Sequence, residues 1–276
     1  MIEARSMQAG ARRPAASEIA DAADARAGVE TRQAAAGELD GVLARFEATW
    51  GVGRGPDRSM LQAIEHAGNT LLVAVPSGAG SGAAAGTDAI LGATLGFLGW
   101  EGGLHLHSHM NAVDPAARGR GIGLALKLRQ RAICLEHGIS EVRWTYDPLI
   151  RRNARMNLVR LGAEVAAFHP DFYGRLDDRI TGDDRSDRFE VRWRLESTRT
   201  ARALARRPQP VWTAHGGQAL VADFEALRAD APADAARLRE RSHAAFAALA
   251  AARLRPELDA AGDYVFTSDD PDREAE

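Results

Sequence analysis

The sequence predicts an α/β fold: a mixed central sheet, antiparallel at first and βαβ afterwards, with a small α/β extension at its C-terminal end. Three observations carry this. The runs 71–75, 90–100 and 104–113 are apolar or alternating, and the links between them are too short for crossovers, so the strands pair antiparallel. From residue 104 the rhythm changes to strand, helix, strand, helix (104–113, 122–137, 141–147, 151–161), which implies a parallel pair joined by a right-handed crossover. A glycine-rich turn, Gly119-Arg120-Gly121-Ile122-Gly123, joins the first of those strands to its helix.

The elements follow in order. Residues 1–26 are rich in Ala, Arg and Asp with almost no large apolar side chains, so a frayed helix or a disordered arm is expected. The main domain is placed at 27–196. It opens with a short strand at 29–32 and a helix whose apolar positions are Leu39, Val42, Leu43, Phe46 and Trp50. A second helix, 57–66, stops at Gly68. After the strand 71–75 come a Gly/Ala/Ser loop at 77–86, the strand 90–100 and a turn at Gly102-Gly103. Strands at 165–168 and 189–195 flank a polar loop, 177–187. The charged, Pro-punctuated stretch 198–210 reads as a linker, so 197–276 is an accessory region. In it a strand (218–223), a long helix (234–253) and a strand (264–267) suggest a partial second sheet, ending in a disordered acidic tail.

Composition narrows the function. Thirty-five basic against thirty-eight acidic side chains give a net charge of −3, with no global field to hold nucleic acid. Lys127 is the sole lysine, and a single cysteine, Cys134, excludes an intrachain disulfide and a cysteine metal cage. The longest apolar run, 244–252, is far short of the roughly 18 residues that span a membrane. The first residues lack a secretory pattern, so a cytoplasmic location is expected.

Three glycines in five positions let backbone N–H groups turn towards an anion, and the following helix start adds partial positive charge. A phosphate or pyrophosphate, helped by Arg118 and Arg120, is the ligand this turn suits; a ligand-free tight turn is the plainer reading. A Walker loop is set aside because Leu124-Ala125 stands where Lys-Ser/Thr is needed, and the glycine spacing is not that of a dinucleotide fingerprint.

Val113, Pro115, Arg118, Gly119, Gly121, Ile122 and Gly123 fill every position of Val-x-Pro-x-x-Arg-Gly-x-Gly-Ile-Gly, and with the element order from 29 to about 195 the chain resembles the GNAT superfamily of N-acetyltransferases. The resemblance implies acetyl-CoA or another acyl-CoA as co-substrate. Backbone groups of Asn111, Ala112 and Val113 would meet the pantetheine arm, and Arg118, Gly119, Arg120, Gly121, Ile122, Gly123 and Leu124 the pyrophosphate. The thioester would lie where strands 104–113 and 141–147 splay. An amine would attack it directly, without an acyl-enzyme, and a backbone N–H would stabilise the oxyanion.

The chain departs from that pattern in the helix 151–161. Aligning Gly162-Ala163 to the family's helix ending puts Leu158 where the family commonly has a Tyr acting as general acid. The pantetheine-binding Asn position falls on Arg151, while Asn153 and Asn157, displaced by two and six residues, remain candidates. His105, His107 and His109 share one face of their strand by period two, and a neutral His suits a general base. His109 and His107 are the candidates. Structural hydrogen bonding is the plainer alternative, and a three-His metal site is disfavoured because such residues seldom converge on one ion. Tyr146 is the replacement acid, or a packing aromatic.

The strings His107-Ser108-His109-Met110, 144–149, Arg152-Asn153-Ala154, Phe172-Tyr173-Gly174 and 186–189 resemble a predicted-GNAT subgroup with a C-terminal extension, associated with N-acylamino-acid racemase systems. That resemblance implies succinyl-CoA as a donor and an amino acid as acceptor, with Arg143, Arg151 and Arg152 available for carboxylates. The expected partner is a small-molecule amine rather than nucleic acid or membrane, and a homodimer is common in the family. A catalytically silent CoA-binding module is the alternative.

Overall fold

The computed structural model describes residues 16–78, 89–176, 178, 180–182 and 184–274; the expected stretches 1–15, 79–86 of the Gly/Ala/Ser loop, and the last two residues of the tail lie outside them. The chain is an α/β protein with a seven-stranded mixed sheet, mostly antiparallel with one parallel pair, and a second sheet of three strands. It forms two compact units, Met1–Val142 and Arg143–Glu276. The division falls inside the 27–196 domain expected from sequence.

In the first unit, residues 16–27 form helix α1, where a frayed helix or a disordered arm was expected. Its buried face is made only of Ala16, Ala20, Ala23 and Ala27. Polar contacts supply what those small side chains lack. Asp24 accepts hydrogen bonds from the amide and hydroxyl of Thr31, and Arg129 reaches both Asp21 (2.6 Å) and Asp24 (2.8 Å).

Strands β1 (Val29–Gln33), β2 (Leu71–Pro76), β3 (Gly92–Gly99) and β4 (His105–Val113) pair antiparallel in that order. Helices α2 (Leu39–Trp50) and α3 (Arg58–His66) cover one face. There Leu39, Val42, Phe46 and Leu61 pack with Leu71, Val73, Leu95, Met110 and Ala112. Asp57 caps α3 through the Met60 amide. Helix α4 (Ile122–Glu136) lies on the opposite face. Gly92 is required beneath it, since a Cβ there would sit 2.9 Å from Ile122 and 3.1 Å from Leu126.

The division falls within β5 (Glu141–Tyr146), and the second unit holds the rest of that strand with β6 (Glu164–His169) and β7 (Arg188–Arg194), in the order β5-β7-β6. The expected helix 151–161 is a short α5 (Arg151–Ala154) that runs into a π-helical turn, Arg155–Arg160. After α6 (Thr198–Leu204), the accessory region forms a three-stranded antiparallel sheet ordered β8-β10-β9: β8 (Gly217–Gln218), β9 (Arg255–Leu258) and β10 (Tyr264–Thr267). The long helix expected there is broken into α8 (Pro232–Ala247) and α9 (Leu249–Ala252), preceded by α7 (Phe224–Asp230). Phe168, Phe189, Phe246 and Tyr264 pack edge to face at its centre.

Candidate functional site

The glycine turn is built from β4 outward. Asp114 leaves the strand and turns the chain by accepting the Ala116 amide at 2.9 Å, which opens the short helical turn Pro115–Ala117. That bond, with Arg45 at 2.7 Å and the charge of Arg118, holds the Asp114 carboxyl below the usual range. Arg45 also donates to the Ile90 carbonyl at 3.0 Å, so helix α2 braces the turn.

Gly119 (φ 81°) and Gly121 (φ 91°) take left-handed conformations, and neither position has any atom within 4 Å of where a Cβ would lie. Gly121 is the N-cap of α4. No side chain caps this helix and no acidic residue stands in its first turn. The first helical bond runs from the Ala125 amide to Gly121, so the N–H groups of the preceding residues have no partner within the helix. A fifteen-residue helix thus presents bare amides beside two open glycines, an arrangement that suits an anion.

Both arginines of the turn, Arg118 and Arg120, are exposed, and they differ in their partners. Arg120 donates to the Ala27 carbonyl at 3.0 Å and so closes the C-terminal end of α1. Asn111 on β4 donates from Nδ2 to the Gly123 carbonyl at 3.3 Å, while its Oδ1 is buried with no partner among the described residues. That orphaned acceptor beside the turn fits a ligand bearing an amide N–H, as pantetheine does. Ala112 is buried against α2, and Val113 and Leu124 are half-buried.

The histidine row lies on the α2 side of β4. Leu95 pairs with Met110 but Gly96 pairs with Ser108, which leaves His109 as the extra residue of a β-bulge. His107 and His109 stand 6.0 Å apart, ring to ring, and both flank Phe97. His109 is exposed, yet the atoms around its ring desolvate it enough to lower its pKa, so it is neutral at pH 7. His107 is half-buried. His105 is buried, with Nδ1 2.7 Å from the Gly103 carbonyl and its ring over Gly99, which is a structural placement.

On the other face of β4, sequence reading missed a buried pair. Lys127 donates to the Ser108 hydroxyl at 2.7 Å, and burial lowers its pKa from 10.5 to about 7. Burial pushes the Cys134 thiol up to about 12, so it is a poor nucleophile. Among the described residues, no group of three His, Cys, Asp or Glu could hold a metal ion, and no helix is long and apolar enough to cross a membrane.

Three candidates belong to the second unit. Tyr146 is buried, its hydroxyl 3.0 Å from that of Tyr264, which itself donates to the Pro148 carbonyl. The Tyr146 proton is therefore committed to Tyr264, and burial raises its pKa further. This is the packing aromatic rather than a free acid. Asn153 is half-buried on α5; Asn157 is buried in the π turn, where its carbonyl accepts the Ala163 amide at 2.8 Å. Leu158 is buried in the same turn. Arg151 bonds the Leu220 and Ala261 carbonyls, and Arg152 is forked onto Glu225, so the carboxylate role expected of both is already filled.

No protein-family model and no curated protein matches the chain. Among solved structures it is similar to Ard1 from Thermoplasma volcanium, 15% identical over 60% of this chain and 96% of the other, with TM-score 0.43. It is also similar to the ribosomal-protein-S18-alanine N-acetyltransferase from Escherichia coli (12% identity, 60% and 94% covered, TM-score 0.47). A third is an N-acetyltransferase from Staphylococcus aureus Mu50 (16% identity, 61% and 99% covered, TM-score 0.46). Likenesses this partial carry no argument about activity.

Proposed function

We propose that the chain is an acyl-CoA-dependent N-acyltransferase that moves an acetyl or succinyl group to the amine of a small molecule by direct attack. The observation that supports it most is the uncapped start of α4 behind two left-handed glycines, in a segment that fills every position of the acyl-CoA-binding pattern. The amides of Gly121–Leu124, with Arg118, hold the pyrophosphate. The orphaned Asn111 Oδ1 accepts an N–H of the pantetheine arm.

His109, neutral at pH 7, takes a proton from the incoming ammonium. The amine nitrogen then bonds the thioester carbonyl carbon and gives its second proton to solvent, the carbon–sulfur bond breaks, and the thiolate is protonated from solvent. His107, beside it, is the second candidate base. A catalytically silent CoA-binding module is the competing reading, favoured by Leu158 at the expected acid position and by the committed proton of Tyr146.

The test is calorimetric titration with CoA, acetyl-CoA and succinyl-CoA, with thiol release followed over an amine panel. Tighter binding of one acyl form with amine-dependent thiol release is expected. CoA binding without turnover on any amine supports the silent module, and no binding at all reduces the glycine segment to a turn.

A further inference from the structure

The α2/α3 face of the first unit holds a cavity of about 380 Å³. Leu43, Phe46 and Pro56 give it apolar walls, Glu47, Asp57 and Arg58 give it charge, and Gly53 and Gly55 line the remainder. It approaches β4 at the bulge: a Cβ on Gly55 would lie 3.7 Å from Cε of Met110 and 3.8 Å from Cβ of Phe46. Met110 follows His109, and a bulge turns two consecutive side chains to one side of the sheet. His109 also flanks Phe97, two residues beyond Leu95 of the α2-side core, so it shares the cavity's face.

The charges select the occupant. Glu47 accepts the Gly53 amide at 3.3 Å through one oxygen and pairs with no basic side chain among the described residues. Asp57 is ionised, held low by the Ser59 hydroxyl and the Met60 amide. Arg58 is already bonded to Asp40 at 3.0 Å. A carboxylate entering this cavity meets Glu47, whereas a cation finds in it an unneutralised partner.

We infer that this cavity takes the acceptor, and that the acceptor is an aliphatic diamine: one ammonium on Glu47, the methylene chain against Leu43, Phe46 and Pro56, and the other amine towards His109. This rests on the acyltransferase reading. At the reacting end, His109 takes one proton from the ammonium, the nitrogen–carbonyl bond forms and the nitrogen gives its second proton to solvent, the carbon–sulfur bond breaks, and the thiolate is protonated from solvent, with one net proton released. Ordinary thioester aminolysis balances without any further reactant.

The test titrates the full chain, with and without CoA, against 1,4-diaminobutane, 1-aminobutane and 4-aminobutanoate. The diamine is expected to bind at least about tenfold tighter than the monoamine, with the carboxylate weakest. Glu47→Gln, which keeps an acceptor for the Gly53 amide, brings the diamine down to the monoamine. Gly55→Leu, at a position without positive φ, fills the cavity and removes both. Unchanged CoA affinity shows that each variant is folded. Equal binding of the three compounds, or a diamine preference that survives Glu47→Gln, overturns the inference. Thiol release in the same samples separates it from the parent reading. Release from other amines with no preference for the diamine sinks the diamine alone. A bound diamine with no release sinks acyl transfer and leaves a cation pocket.

Discussion

Replacing Lys127 with Met tests the burial argument at its sharpest point. In the folded chain this amine loses its proton near pH 7, against 10.5 in the unfolded chain. Between those values the unfolded state carries more protons, so the stability tied to this residue rises with pH through that window; below pH 7 the full penalty applies. Three and a half decades of proton affinity make Lys127 cost about 4 kcal/mol at pH 7 and about 1 kcal/mol at pH 9.5. Met removes that cost but leaves the buried Ser108 hydroxyl without its donor, a loss of about 1–3 kcal/mol. Lys127→Met is therefore expected to stabilise the first unit by about 1–3 kcal/mol at pH 7, and the gap to wild type shrinks by about 3 kcal/mol at pH 9.5. Urea unfolding read by pulse-labelling of Cys134, the only cysteine and a neighbour on the same helix, follows this unit by itself. A gap that is the same at both pH values, within about 0.5 kcal/mol, would show that Lys127 stays protonated in the fold and would refute the reasoning.

Other outcomes are equally definite. Arg118→Glu with Gly121→Glu sets two negative charges, one on a left-handed glycine, against the anion site, and calorimetry should show CoA affinity falling at least about 100-fold. His109→Gln should lower kcat by about 10²–10⁴, and because the wild-type base is depressed below 6.5, the acid limb of kcat/KM in the wild type should have its midpoint below that value. Tyr146→Phe should leave kcat within about twofold, since its proton is already held by Tyr264; a loss beyond about 100-fold would restore it as the acid. Arg199→Met leaves the buried Glu257 carboxylate, among the described residues, only the Arg255 Nε, at 3.2 Å, and should cost about 3 kcal/mol, read as a lower urea midpoint by circular dichroism.

The strands of the first unit and helix α4 were legible because each is local: periodicity, glycine stops and an N-cap Asp lie within a few residues of what they govern. The glycine turn before α4 was legible for the same reason. Helix α1 was legible only as a frayed helix or a disordered arm, because a face of four alanines has no large apolar side chain to mark it, and the contacts that hold it come from Thr31 and from Arg129, over a hundred residues away. The bulge at His109 depends on how β3 and β4 register, which neither strand states alone. The π turn was hidden because its extra residue alters which side chains share a face, and counting at 3.6 residues per turn assumes it away. The forks from Arg151 and Arg152 join them to residues some seventy or more positions away; the sequence showed abundant arginine but not which of them were engaged.

The single lysine has one more consequence. Activated thioesters transfer their acyl groups to exposed lysines without any enzyme, and a chain that binds them, as proposed above, would ordinarily accumulate such damage. Here thirty-four of the thirty-five basic side chains are arginines, which are poor acyl acceptors, and the one ε-amine is only 5% exposed and locked onto Ser108. Its lowered basicity would make it the most reactive amine in the chain if it could be reached. Placed in the interior, it leaves the folded surface with no lysine for a thioester to modify.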